Sequence, residues 1–206
     1  SNALVEFKKN ILRSQDIDKK TDKKIELSKD QKTSFNRIEK EIKKEKVILF
    51  HGVTSSGKTE IYVECIKNQL NQGKSVLFLV PEIALTTQLV NRLNSFFDKE
   101  LIVYHSSVNP QTRLEIWKKI ISKDDPYLIL GARSAVFLPR RNNGLIIVDE
   151  EHENSYKQTQ KSPYYNSRDI AVYLSKIHRC SVLLGSATPS LESFYNAKIG
   201  KYCIVN

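Results

Sequence analysis

The chain contains no methionine in its 206 residues, and its three cysteines, Cys65, Cys180 and Cys203, stand far apart with no C-x-x-C pairing. That spacing argues against a disulfide framework and against a zinc site in this segment, and leaves buried thiols as the expected state. No apolar run approaches the ~18 residues that a membrane span requires, and no signal-peptide pattern is present, so the chain reads as a soluble, cytoplasmic protein without a membrane partner. There is no internal repeat and no low-complexity tract. The opening Ser1-Asn2-Ala3 has the look of a cleaved-tag scar and is set aside from fold reasoning.

What is present is mostly α/β in pattern and basic in charge. Lys and Arg number 33 against 23 Asp and Glu, a formal net charge of +10. Residues 1–46 hold 14 of those basic and 9 of those acidic side chains, a net +5. Such a balance suits a polyanionic partner, although a lysine-rich stretch also serves as a solvated helix face. Residues 4–27 are polar with scattered apolar positions and read as a linker or an upstream-domain remnant. At Ser28 and Gln31 the spacing is that of a capping box, followed by Phe35, Ile38 and Ile42 on one helical face.

From Val47 the chain alternates short apolar runs with amphipathic segments, as a parallel sheet covered by helices on both faces requires. Strands are expected at 47–50, 75–80, 101–104, 127–130, 145–148 and 181–184, with Tyr202 to Asn206 beginning another. Helices are expected at 59–71, 83–97, 110–122, 168–179 and 190–197.

The first of these strands runs into Gly52-Val53-Thr54-Ser55-Ser56-Gly57-Lys58-Thr59, which has the spacing G-x-x-x-x-G-K-[ST]. Glycines at its two ends let successive backbone N–H groups turn inward around phosphates. Lys58 is placed to reach the outer phosphates, the Thr59 hydroxyl to ligate Mg²⁺, and the helix that follows presents its positive end to the same charge. A second apolar strand, Leu145-Ile146-Ile147-Val148, ends in Asp149-Glu150-Glu151-His152. There Asp149 is expected to hold Mg²⁺, and Glu150 to orient and deprotonate the water attacking the γ-phosphate of a nucleoside triphosphate. A third strand ends in Gly185-Ser186-Ala187-Thr188-Pro189-Ser190, which is either a helix cap or a loop that senses nucleotide state.

Seven phrases together carry a family resemblance: GVTSSGKTE at 52–60, LVPEIALTTQ at 79–88, YHSSV at 104–108, GARSAVFLP at 131–139, GLIIVDEEHENSYKQ at 144–158, RD at 168–169 and LGSATPSLES at 184–193. Over residues 28–206 the chain resembles the first RecA-like lobe of the primosomal N′ family of bacterial replication-restart helicases. The resemblance implies a P-loop NTPase lobe of a superfamily II, DExH-box, ATP-dependent 3'-to-5' DNA helicase, with ATP and Mg²⁺ as cofactors. It implies forked or single-stranded DNA, primosome proteins and single-stranded DNA-binding protein as partners. Gln31 corresponds to the adenine-reading glutamine; Lys58, Asp149 and Glu150 to the catalytic groups; and His152, Ser186 and Thr188 to groups coupling nucleotide state to DNA.

Thr86, Gln88, His105, Ser106, Arg133 and Ser134 fall in motifs that line the DNA path in such helicases. Arg133 could instead pair with a core carboxylate, and His105 could be a strand-end histidine. Tyr156, Tyr164 and Tyr165, among Lys157, Lys161 and Arg168, resemble the family's aromatic-rich loop, whose rings and cations suit a single strand, unless the tyrosines pack on the lobe itself.

Ser55 and Asn166 depart from the family's usual glycine and histidine. The second lobe with its arginine finger, a zinc-binding cysteine cluster and upstream DNA-binding domains are implied to lie outside this segment. Two other readings remain open on the residues alone. One is a small-molecule P-loop kinase, which leaves the 185–190 turn unexplained. The other is a DNA- or partner-binding module in which nucleotide only stabilises the fold.

Overall fold

The structure, a computed structural model, describes residues 25–53, 56–105, 108–160 and 162–206. The tag-like tripeptide, residues 4–24 of the expected linker, and Thr54, Ser55, Ser106 and Lys161 lie outside the described residues.

The capping box forms as the spacing predicts. Ser28 Oγ accepts from Gln31 N at 3.3 Å, and Gln31 Oε1 accepts from Ser28 N at 2.8 Å, which starts helix α1 (Lys29–Ile42). Its Ile38 and Ile42 are buried, with Phe35 packed beside them. Strand β1 (Val47–His51) then opens a sheet whose further strands are β2 (Ser75–Leu79), β3 (Leu101–Tyr104), β4 (Leu128–Gly131), β5 (Asn143–Asp149), β8 (Ser181–Ser186) and β9 (Cys203–Val205). They lie in the order β3-β4-β2-β5-β8-β1-β9, and every neighbouring pair is parallel. The six expected strands are all present within two residues at each end, and the expected C-terminal one is β9, paired to β1.

A parallel sheet buries both faces, and successive residues divide between them. Ile48, Phe50, Val76, Phe78 and Ile147 join α1, α2 (Lys58–Asn71) and α3 (Thr87–Phe97) in one apolar layer. Leu49, Leu77, Ile129, Val148 and Leu184 face the other layer, with α4 (Pro110–Ser122), α5 (Ser167–His178) and α6 (Leu191–Lys198). Each fully buried Leu or Ile here contributes roughly 1.5–3 kcal/mol, so the central strands anchor the fold. Cys65 and Cys180 are buried free thiols and Cys203 is half-buried. No helix among the described residues is long and apolar enough to cross a membrane.

Two features depart from expectation. The helix expected at 83–97 is broken into a 3-10 turn at Glu82–Ala84 and α3, because extended Thr86 (φ −89°, ψ 160°) caps α3 by accepting from Leu89 N at 3.3 Å. The segment after β5 forms a 3-10 turn at Asn154–Tyr156 and a two-strand antiparallel hairpin, β6 (Lys157–Gln158) with β7 (Tyr165–Asn166), which apolar patterning does not announce.

Because all seven strands run the same way, the loops after their carboxyl ends emerge along one edge of the sheet. Those after β1, β8 and β5 are neighbours, and those after β2, β4 and β3 continue the row.

Candidate nucleotide and nucleic-acid sites

The phosphate-loop candidate follows β1, toward one end of that edge with β9 as its outer neighbour. Gly57 takes a left-handed conformation (φ 80°) as the N-cap of α2, and it offers no side chain to the first-turn N–H groups. A Cβ there would also stand 2.0 Å from Gln31 Nε2. That amide donates to Ser56 O at 3.1 Å, so Gln31 braces the loop from a helix 25 residues upstream while its oxygen caps α1. Val53 and Ser56 are exposed and Thr59 is half-buried. Lys58 is buried, with Nζ donating to Gly52 O at 3.0 Å and standing 3.6 Å from Glu150 Oε1. Glu60, next to Thr59, is ion-paired with Arg92 of α3.

At the end of β5, Asp149 is held from two sides. Tyr62 OH donates to Asp149 Oδ1 at 2.9 Å, and Tyr156 OH donates to the Asp149 carbonyl at 2.6 Å and to that of Leu79 at 3.2 Å. Burial pushes the Asp149 carboxyl above its usual range and the Glu150 charge adds to this, while the Tyr62 bond and Lys58 pull it down. Glu150 follows in a left-handed backbone (φ 46°), unusual for a residue with a Cβ. This turn faces one oxygen of Glu150 to Lys58 and brings the other to 3.7 Å from His152 Nδ1.

His152 links the acidic end to the turn after β8. Its Nδ1 lies 2.8 Å from Ser186 Oγ and its Nε2 3.4 Å from Thr188 Oγ1, while Thr188 N donates to Ser186 Oγ at 3.0 Å. The same turn is stitched to the phosphate-loop candidate: Gly52 N donates to Ser186 O at 3.1 Å, and His51 Nε2 lies 3.2 Å from Ala187 O. Gly52, Lys58, Asp149, Glu150, His152, Ser186 and Thr188 therefore form one connected constellation.

The nucleic-acid candidates divide. Thr86 and Gln88, after β2, and Lys157 are exposed. His105, after β3, is half-buried; burial and Arg113 lower its pKa, while Glu82 opposes them. Among the described residues Arg133 pairs with no core carboxylate; it donates to the carbonyls of Ser155 (3.2 Å) and Lys157 (2.7 Å), tying the loop after β4, with half-buried Ser134, to the hairpin. Tyr164 is exposed, and Tyr165 packs edge-on against Phe137, centroids 4.9 Å apart.

Two assignments are corrected. Tyr156 is 1% exposed, with its hydroxyl on two backbone carbonyls, so its ring cannot stack on a base. Arg168 is also buried: its guanidinium donates to Glu151 Oε2 at 3.0 Å, Ser190 Oγ at 2.8 Å and Asp169 Oδ1 at 2.9 Å. Its partner Glu151 was not singled out from the sequence. That carboxylate, 1% exposed, also accepts from Ser190 N (2.7 Å), Ser190 Oγ (3.0 Å) and Ser193 Oγ (2.8 Å), and so fixes the start of α6. A charged residue inside an acidic run gives no signal of burial; the serines at 190 and 193 were the available clue.

Residues 24–191 match the family described as Type III restriction enzyme, res subunit. The chain belongs to that family. Within reach of this res-subunit match are curated relatives. Replication restart protein PriA of Bacillus subtilis (strain 168) is 44% identical over 180 residues, covering 86% of this chain and 22% of that protein. Its counterpart in Helicobacter pylori (strain J99) is 48% identical over 159 residues, covering 77% of this chain and 25% of the relative. The chain thus spans about a quarter of the length of such relatives, and the resemblance read from the seven phrases is borne out. Among solved structures, the DUF1998 helicase MrfA bound to DNA and AMPPNP superposes with a TM-score of 0.61 at 19% identity, covering 87% of this chain and 27% of that one. The UvsW helicase from bacteriophage T4 gives 0.58 at 18% identity, covering 96% and 65%. The chain therefore has the fold of a RecA-like helicase lobe.

Proposed function

We propose that this chain is the ATP-binding lobe of an ATP-dependent 3'-to-5' DNA helicase that acts in replication restart and primosome assembly. The observation that carries the reading is the connected set Lys58, Asp149, Glu150, His152, Ser186 and Thr188 at one end of the sheet, beside the loops of Thr86, His105 and Arg133.

The residues fit a magnesium-bound triphosphate. The first turn of α2 has N–H groups without a side-chain cap, and a buried ammonium beside it rests on a single carbonyl and a carboxylate. Both features suit an anion at that helix end. Thr59 and Asp149 would hold Mg²⁺, which when bound neutralises phosphate charge. Lys58 exchanges Gly52 O for the outer phosphates, and this frees Glu150 to accept the proton of the attacking water. His152, between Glu150 and the Ser186–Thr188 turn, ties the state of that carboxylate to the turn. Gln31 reads adenine from its place against the loop. Thr86, Gln88, His105, Ser106, Arg133, Ser134 and Lys157 form the DNA side, with forked or single-stranded DNA as substrate. Primosome proteins and single-stranded DNA-binding protein are the partners that the resemblance in sequence implies. The arginine that stabilises transition-state charge comes from a second lobe, so this lobe alone turns ATP over slowly.

Lys58→Ala tests the reading. Loss of a charge-assisted bond of about 1.5–3 kcal/mol should weaken Mg-ATP binding by roughly 10–100-fold in titration calorimetry. Unchanged affinity in a variant that still melts cooperatively would refute it.

A further inference from the structure

We propose that Tyr62 is a positioning residue for the Asp149 carboxylate, and that Gly185 is glycine to admit the Tyr62 hydroxyl. The inference rests on the reading of Asp149 as a Mg²⁺ ligand. Tyr62 lies on α2, four residues beyond Lys58, so the helix that carries the phosphate-binding ammonium also carries this hydroxyl. The ring is wholly buried and anchored by edge-on contacts with Phe50 (centroids 6.2 Å) and Phe78 (5.5 Å), independently of its OH. The hydroxyl emerges beside Gly185, which pairs with Phe50 of β1 on one side and Asp149 of β5 on the other. A Cβ on Gly185 would stand 1.7 Å from Tyr62 OH and 3.4 Å from Asp149 Oδ1. The hydroxyl reaches Asp149 at 2.9 Å, and a side chain at position 185 would force it to shift.

With Oδ1 held by Tyr62 and the backbone carbonyl held by Tyr156, one carboxylate oxygen and the main chain beside it are positioned before a cation arrives. Outer partners of this kind orient the ligand, and losing one typically costs about 10–100-fold in metal affinity. The bond also joins the two halves of the nucleotide site through the interior rather than through the ligand.

The test is Tyr62→Phe, which keeps the ring and its packing. Binding of a fluorescent ATP analogue is measured across a Mg²⁺ titration and again in EDTA. The expected result is a half-saturating Mg²⁺ concentration raised by about 10–100-fold with affinity in EDTA unchanged within about twofold. Gly185→Ala, which drives the hydroxyl away, should reproduce the shift. An unchanged Mg²⁺ requirement in Tyr62→Phe overturns the inference while leaving the proposed function standing. Equal losses with and without Mg²⁺ mean packing alone and overturn it too. A wild-type protein whose nucleotide binding ignores Mg²⁺ overturns the reading of Asp149 itself.

Discussion

Removing the guanidinium of Arg168 should unfold this protein at a markedly lower temperature. Arg168→Met keeps the length and apolar stem of the side chain but strands the Glu151 carboxylate in the interior. Glu151 is 0% exposed at its side chain and Arg168 10%, so water screens the pair little. Three neutral donors remain on Glu151 after the change, from Ser190 N, Ser190 Oγ and Ser193 Oγ, and none supplies positive charge. Breaking a buried pair from one side costs about 3–5 kcal/mol. For a chain of this size each kcal/mol moves the midpoint by about 2–4 °C, so a drop of about 6–20 °C is expected in thermal melts followed by circular dichroism. Glu151→Gln together with Arg168→Met should melt closer to wild type than Arg168→Met alone, since no uncompensated charge remains. A shift under about 2 °C would refute the reasoning, because it falls far below that cost. If DNA affinity fell while the midpoint held, Arg168 would belong to the DNA path after all.

Glu150→Gln, in a protein carrying both lobes, should bind Mg-ATP but hydrolyse it about 10²–10⁴-fold more slowly, and near-normal turnover would assign the base elsewhere. A pH effect should come from Cys180, whose thiol burial pushes up from 9.0 to about 11. A group held above its unfolded value stabilises fully below that value and loses the contribution as pH rises through the folded one. Wild type should therefore lose about 2–3 kcal/mol between pH ~9 and ~11 that Cys180→Ala does not, read from urea melts across that range. A constant gap between the two proteins would contradict burial of the thiol.

The strands, and the glycine-framed turn from β1 into α2, were legible because each is a local pattern: an apolar run of strand length, then glycines at fixed spacing. The lip at Asp149 was legible for the same reason. What could not be read is direction. Tyr156 and Arg168 stand in a segment rich in rings and charges, which composition assigns to a surface, yet a single 3-10 turn at Asn154–Tyr156 swings the Tyr156 ring into the core. Tyr62 has the opposite history. It sits in a helix where an aromatic residue reads as packing, and its role appears only when β5 and β8 bring Asp149 and Gly185 beside it. Gln31 was legible as a cap, whereas its second bond to Ser56 depends on where α1 lies against the loop. The helix start at Thr86 was hidden by a plain apolar periodicity that runs through from residue 83, yet in the fold one hydroxyl accepting from Leu89 N outweighs that periodicity.

The stitch between the phosphate loop and the turn after β8 has a mechanical consequence. Strands β1 and β8 stay in register to the pair His51 and Ser186, and the ladder then runs past the ends of both strands through Gly52 N to Ser186 O and the His51 ring to Ala187 O. Both contacts are of hydrogen-bond length and lie one residue apart on each strand, so movement of His51 and Gly52 would pull on Ser186 and Ala187. A loop that fills and empties in cycles would thus work against that linkage on its β8 side.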